Sequence, residues 1–494
     1  MLLAVVEMQD TAIFLVMLGF LIGLSAIFSR HIDRLGVPVV LLFLVLGILG
    51  GSEGIGGIAF DDYSFAVRVG TIYLVLILVD GGMTTSLAAV RRVLLPAGIL
   101  ATIGVALTAA LLALFGRLVG LPWIEAMLLG AIVSSTDAAA VLAVLRGGNL
   151  HLKPEVGDTL EVESCMNDPM AVILTVTVIE LALAPGEWHW TRLVAIPVQL
   201  AIGGATGVGL GLAGKWGVER VRPATIGLYP AVTLAIAFLS FGIATVLGGS
   251  GLLSVYVTAL VLGSAALPYR AGLKRVHDAL AWLSQIGLFL MLGLLVFPSS
   301  LPAVAGVGLG AALFLAFVAR PLAVAACLLP LRFPPRQIGY IGWIGLRGAV
   351  PIILGVFPVL AGVPGAERVF NIVFFIVVVS TLLPGATIRR MTQWLDLARP
   401  EMPTPSAVLE INSAHRLTNE IASFFIDSSA AVCGASLSQI NLPPASAVML
   451  IVRGQQLVAA RGATVLNQGD HVYVFFRPED QPFIELLFGR RESV

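Results

Sequence analysis

Apolar residues dominate the first 390 positions in long blocks, broken by short polar stretches. A bilayer is crossed by about 20 apolar residues in a helix. Thirteen blocks meet that length approximately: 11–29, 37–51, 66–84, 93–115, 122–145, 160–184, 191–214, 224–247, 251–267, 277–298, 302–331, 338–361 and 369–388. The second is short and the eleventh long, as in a bundle of tilted helices. After Arg390 the pattern changes. Residues 391–406 are polar and Pro-rich and read as a linker, and 407–491 read as a small α+β domain. Within it, VMLIVRG and VYVFFR predict buried strands, and LNQGDH a turn built on Gly469 and Asp470. PEDQPFIELLF predicts a closing helix with Pro478 near its start. The expected architecture is therefore an all-α polytopic membrane domain over 1–390, followed by a soluble module.

Composition agrees with that division. The chain is 58% hydrophobic and 12% charged, against roughly 25% charged in soluble domains. The net charge is zero, so total charge says nothing about partners; no nucleic-acid partner is expected. The placement of charge is more informative. With the N-terminus outside, sixteen Lys and Arg residues fall in inward loops. Only Arg68, Arg117, Arg192 and Arg368 fall outside. This is a strong positive-inside bias, and an odd number of spans leaves the C-terminus in the cytoplasm. Glu7 and Asp10 occupy the place of a basic signal-peptide region, so the first run reads as the first membrane helix. Cys165, Cys327 and Cys433 are scattered and suggest neither a disulfide framework nor a zinc site.

Ionisable residues inside a membrane are costly and are functional candidates by default. Asp137 lies mid-span in AIVSSTDAAAV, after Ser134, Ser135 and Thr136. Hydroxyls beside a carboxylate offer oxygen ligands to a monovalent cation, or satisfy backbone where a helix unwinds; a plain polar helix contact is the other reading. Asp168 lies in ESCMNDPMAV, directly before Pro169, which should perturb the helix and free backbone to line a cavity. A helix-cap carboxylate is its alternative. Glu163 and Asn167, four apart, share a helix face. Glu163 and Asp168 point about 140° apart and should have different partners. Arg320 precedes Pro321 inside a span, and Arg347 sits between Gly345 and Gly348 with Pro351 beyond, where the helix should break. Both arginines need buried acceptors unless they snorkel to an interface. Polar breaks at SSTD and GLRGAVP, one in each half, suit an inverted-repeat transporter with discontinuous crossing helices and a midplane site. Gly203, Gly207 and Gly211 form a small-residue ridge, fit for internal packing or for dimerisation.

TD at 136–137, ESCMND at 163–168 and GLRGA at 345–349 resemble the signatures of the monovalent cation:proton antiporter family. LEVESCMNDPMAV, LVDGGM at 78–83 and VPVVLLFLVLGILGG at 37–51 are similar to its NhaP-type potassium/proton branch in bacteria. The tail from SLSQINLPP to VYVFF resembles a TrkA-C domain, a ligand-sensing module. The likeness covers nearly the whole chain. One departure is that the branch often carries a further C-terminal module, whereas this chain ends soon after the TrkA-C-like segment.

The resemblance implies a bacterial inner-membrane exchanger of K⁺ or Na⁺ for H⁺, a homodimer, and a C-terminal domain with a nucleotide as a plausible ligand. It implies that Asp168 carries either proton or cation. Asp137 and Thr136 would sit at the helix crossing, with Ser164 as a further hydroxyl ligand and Asn167 beside the carrier. It pairs Glu163 with a buried arginine, Arg320 first and Arg347 as the alternative, and sets Arg347 to offset helix-end carbonyl charge at the second break. One carrier carboxylate suggests one proton per cation, hence electroneutral exchange. Two rival classes fit less well. A channel would be expected to show a filter such as TVGYG, and an intramembrane aspartyl hydrolase a GxGD element; neither string occurs. No enzymatic activity is expected.

Overall fold

The computed structural model describes residues 39–146, 150–184, 191–221, 227–265, 267–399 and 420–489, with single positions at 12, 16, 19, 20, 23, 27 and 225. Most of the expected first span, the basic residues Arg30, Arg34 and Arg222, and residues 400–419 lie outside that set. Two compact units result, meeting in the sequence at Arg399 and Pro400.

Among the described residues, eight helices of the first unit are long and apolar enough to cross a membrane. They are Tyr63–Thr84, Leu87–Leu118, Pro154–Leu183, Val194–Arg220, Leu228–Val246, Arg270–Leu294, Pro298–Leu328 and Ala366–Trp394. Val40–Gly50 and Gly251–Gly263 are shorter apolar helices. The two remaining expected spans are interrupted. One is Trp123–Ile132 followed by Ala138–Arg146, the other Pro335–Trp343 followed by Val350–Leu360. Each expected span from residue 37 onward therefore has its counterpart, and the chain is a multi-pass membrane protein. Local chemistry sets several starts. Asp62 accepts from Phe65 N at 2.8 Å and Ser86 from Ala89 N at 3.1 Å, each satisfying a free amide of a first turn. The last long helix runs to Trp394, beyond the span end expected at 388.

The halves repeat. Leu87–Leu118, the first broken helix and Pro154–Leu183 recur in the same order and at matching lengths as Pro298–Leu328, the second broken helix and Ala366–Trp394. Both leading helices carry a π-helical turn, at Leu100–Gly104 and Leu315–Ala319. Corresponding helices are seven spans apart in the chain, an odd offset, so the copies run oppositely through the bilayer. Phe115 and Phe314, from the two leading helices, stack with ring centroids 4.6 Å apart. The sequence shows this repeat only as a pair of breaks, because no residue-level similarity accompanies it.

Glycines let backbones meet inside the bundle. A Cβ on Gly203 would approach Ser250 O to 2.6 Å, and one on Gly207 would approach Ser254 O to 2.7 Å. One on Gly211 would approach Val261 Cβ to 2.8 Å. The ridge in 191–221 is therefore used internally, against Gly251–Gly263, where Thr258 Oγ1 donates to Gly207 O at 3.1 Å.

A small antiparallel sheet closes the unit at one end. β1, His151–Leu152, pairs with β2, Ala398–Arg399. Leu152 and Leu397 are buried in a core shared with Val144, Val156, Tyr340 and Ile388.

The second unit is a four-stranded antiparallel sheet. Its strands are β3, Glu420–Phe425; β4, Ala447–Arg453; β5, Gln456–Ala459; and β6, Asp470–Phe476, in the order β3-β6-β4-β5. Phe424, Ile451, Val472, Val474 and Phe476 form one face, which packs with Ile484 and Phe488 of the helix Gln481–Phe488. The expected strands and closing helix lie here; β3 and β5 are additional. The turn residue Asp470 is also buried, and it binds Arg453 through two 2.8 Å hydrogen bonds.

Candidate ion-binding site

The Pro154–Leu183 helix carries polar residues on two faces. Residues at i, i+3, i+4 and i+7 lie along one stripe of a helix, and Glu161, Ser164, Cys165 and Asp168 have that spacing. All four line one cavity of about 180 Å³. Glu163 and Asn167 turn the other way and are fully buried. The helix stays α-helical through Pro169, contrary to the expected perturbation. Proline removes only one amide, so the carbonyl of Cys165, four residues back, loses its helical donor without a break.

The two interrupted helices cross beside this stripe. Asp137 N donates to Leu346 O at 2.8 Å, joining one break to the other. Asp137 Oδ1 accepts from Ala140 N at 3.1 Å, so the carboxylate caps the half-helix Ala138–Arg146, where an anion is favoured. Ser164 Oγ donates to Thr136 O at 2.9 Å and accepts from Ala138 N at 3.0 Å. It ties the unwound backbone to the long helix. Asn167 Nδ2 donates to Thr136 Oγ1 at 2.6 Å, while Asn167 Oδ1, fully buried, meets no donor among the described residues. The Ser135 side chain lies within hydrogen-bonding reach of Asp168. Asp168 Oδ1 is buried with no hydrogen-bond partner among the described residues. Asp137, Thr136, Ser164 and Asp168 thus share one cavity wall, with Gly348, Ala349 and Val350 of the second break beside them.

The buried arginines have different partners. Arg320 Nη2 lies 2.7 Å from Glu163 Oε1 and 2.9 Å from Oε2, with both side chains almost fully buried. Arg347 reaches across to the first break. Its Nη1 donates to Ser134 O at 3.0 Å and to Ser135 O. The carbonyl charge it meets therefore belongs to the break after Ile132, not to its own. The crossing of the two helices explains this, because it lays the second break over the exposed carbonyl end of the first.

Gly348 is required by that crossing, since a Cβ there would run into the Asp137 carboxylate. Overpacking a dense site costs about 1–3 kcal/mol, and about 1.4 kcal/mol is tenfold in a rate. Gly348→Ala is expected to slow transport about tenfold in vesicles at unchanged protein content. A wild-type rate would show that Asp137 moves aside freely.

Sequence reasoning missed part of the wall. Asp80 and Thr84, Glu161 and Cys165, and Asp278, Trp282 and Gln285 also line the cavity. Asp80 was detectable as a charge inside the apolar run LVLILVDGG. Glu161 was detectable from its seven-residue spacing to Asp168. Nothing in the sequence marks Asp278, which lies near the polar start of its span.

Residues 17–394 match the model of the sodium/hydrogen exchanger transmembrane family, and 421–487 match the TrkA-C domain. The chain is a member of the sodium/hydrogen exchanger family. Among relatives of this exchanger, the K(+)/H(+) antiporter NhaP of Alkalimonas amylolytica is 37% identical over 98% of this chain and 85% of its own length. The K(+)/H(+) antiporter NhaP2 of Shewanella oneidensis is 39% identical over 95% of this chain and 83% of its own. The fold is similar to that of the sodium proton antiporter MjNhaP1 from Methanocaldococcus jannaschii at pH 8. That match has a TM-score of 0.64 at 24% identity and covers 78% of this chain and 99% of the other. In this exchanger-family frame, the crossing breaks and the Pro154–Leu183 stripe form the candidate ion site.

Proposed function

We propose that this protein exchanges a monovalent cation, K⁺ in preference to Na⁺, for H⁺ across the bacterial inner membrane. The observation that carries the reading is Asp168. Its buried Oδ1 faces no donor among the described residues, in a cavity walled by both helix breaks. Such an oxygen can take a proton or a dehydrated cation, and one occupant excludes the other. Each loaded form is neutral; the empty anion is costly to move through a low-dielectric barrier. Competition at one carboxylate then couples the fluxes, one proton per cation, without net charge movement. Asp137, Thr136, Ser164 and Asn167 hold the crossing beside the carrier, and the Ser135 hydroxyl and nearby carbonyls offer further oxygens. Relatives named as K(+)/H(+) antiporters support K⁺.

The inverted repeat supports alternating access. The cavity is lined by the halves of Tyr63–Thr84 and Pro154–Leu183 nearest Thr84 and Pro154, and by the middle of Arg270–Leu294. Positive-inside counting puts those ends in the cytoplasm and the N-terminus outside. On this reading the described conformation is the inward-facing one. The protein works as a homodimer, and its TrkA-C domain, with a nucleotide as ligand, adjusts the cycle. Purified protein in sealed vesicles provides the test. Added K⁺ or Na⁺ should drive proton flux, unaffected by clamping the membrane potential. Cation flux without proton flux would instead make this a channel. Truncation after Arg399 should leave exchange intact but shift its rate or pH profile; an unchanged profile would make the domain a bystander.

A further inference from the structure

The last described residues before the second unit are not a free tether. β2 pairs with β1 in the register His151 with Arg399 and Leu152 with Ala398. Lys153 N extends the pairing, donating to Leu397 O at 3.0 Å. Lys153 Nζ lies 3.6 Å from Asp396, but both side chains are well exposed and the ion pair adds little. Anchoring comes from Leu152 and Leu397, buried at 9% and 3% exposure in a common core. That core contains Val141 and Val144 of the half-helix Ala138–Arg146, Val156 and Leu160 of Pro154–Leu183, and Tyr340 and Ile341 of Pro335–Trp343. Arg389 Nε also donates to Val144 O at 3.2 Å, at the carbonyl end of the Ala138–Arg146 half-helix.

The position of this pairing in the chain gives it leverage. β1 lies between the half-helix capped by Asp137 and the helix bearing Asp168. Lys153 leads directly into Pro154, the first residue of that helix. From there to Glu163 the helix rises about 14 Å at about 1.5 Å per residue, without interruption. The sequence after Arg399 continues into the second unit, beginning with Pro400, which favours extended backbone at Arg399. A displacement of β2 therefore acts at once on both elements that carry the site.

We propose that the β1–β2 pairing is the element through which the C-terminal domain regulates the ion site. A ligand that changes the pull on β2 biases the cycle by favouring one position of the Ala138–Arg146 half-helix and of the start of Pro154–Leu183. Such bias needs a differential interaction with the two states, and the shared core supplies a packed contact able to differ between them. The inference rests on the proposed exchange and on regulation by the TrkA-C domain.

The alternation of an antiparallel ladder provides the test. Lys153 with Leu397 is a bonded pair, so His151 with Arg399 is the next one, and the amide of Ala398 points away. Arg399→Pro removes a ladder donor; Ala398→Pro does not. Both are made in the full chain and compared with wild type and with truncation after Arg399, reading cation-driven proton flux against pH. Arg399→Pro should reproduce the rate and pH midpoint of the truncate, with Ala398→Pro like wild type. A truncate that differs from wild type while Arg399→Pro does not would overturn the pairing as the route. A truncate identical to wild type would overturn the regulation and the route together. Absent flux in wild type would instead sink the exchanger reading. If Arg399→Pro misfolds, a four-residue Gly-Ser insertion between Trp394 and Leu395 displaces β2 from its register without proline. It should match the truncate, and a wild-type profile from it counts against the proposal.

Discussion

Asp168→Asn is expected to abolish cation-driven proton flux in a protein that still folds and inserts. An amide is nearly isosteric with a carboxylate but cannot carry a proton at working pH and has no charge to balance a cation. Both loaded states vanish together. The expected loss is at least about a thousandfold, equivalent to about 4 kcal/mol or more of transport barrier. Folding should be spared because Asp168 Oδ1 makes no hydrogen bond among the described residues that the amide would lose. The measurement is flux from reconstituted vesicles, beside a thermal melt of the same preparation. Retained exchange would move the carrier elsewhere, with Asp80, Asp137, Glu161 and Asp278 on the same cavity as replacements to try. Asp137 is the less suitable carrier, because its Oδ1 already caps Ala138–Arg146 through Ala140 N.

The second large effect is on stability. Glu163 and Arg320 form an ion pair at 2.7 Å with side-chain exposures of 0% and 2%. Removing one partner leaves a buried charge without compensation, which costs about 3–5 kcal/mol in soluble proteins. Glu163→Gln and Arg320→Gln should each lower the melting temperature markedly. Glu163→Gln/Arg320→Gln should lose less than the two single changes combined, because no orphan charge remains. The coupling is read from that double-mutant cycle, and strict additivity would mean that the two charges do not depend on each other. Arg347 serves as the control. Its guanidinium donates to the carbonyls of Ser134 and Ser135, so Glu163→Gln and Arg347→Gln should be closer to additive. This pair joins Pro154–Leu183 to Pro298–Leu328 just after a π turn, where each repeat's leading helix departs from regular geometry.

Much of the site was legible because membrane burial makes charge conspicuous. Asp137, Asp168, Glu163, Arg320 and Arg347 stand out within apolar runs, and helical periodicity alone separates the Asp168 face from the Glu163 face. The breaks at 133–137 and 344–349 were visible as Ser/Thr and Gly/Pro clusters within otherwise apolar spans. Ser164 was anticipated as an ion ligand; its hydroxyl proves to hold Thr136 O and Ala138 N. Pro169 was anticipated as a perturbation, yet the helix stays intact around one missing amide.

By itself the sequence determined that the chain crosses a membrane many times, which alternate loops gather its Lys and Arg residues, and which helices carry charges that must be neutralised inside. These follow from local quantities: the length of apolar runs, the side-to-side bias of Lys and Arg, and the cost of desolvating an ion. Only the tertiary structure decided which partner each charge takes. Arg320 meets Glu163 across 157 positions and Arg347 meets carbonyls more than 200 positions away. It also turned the glycine ridge inward, laid one helix break against the other, and joined β1 to β2. Contacts between distant segments depend on how helices cross, and crossing is set by the fit of whole faces, which no local pattern specifies.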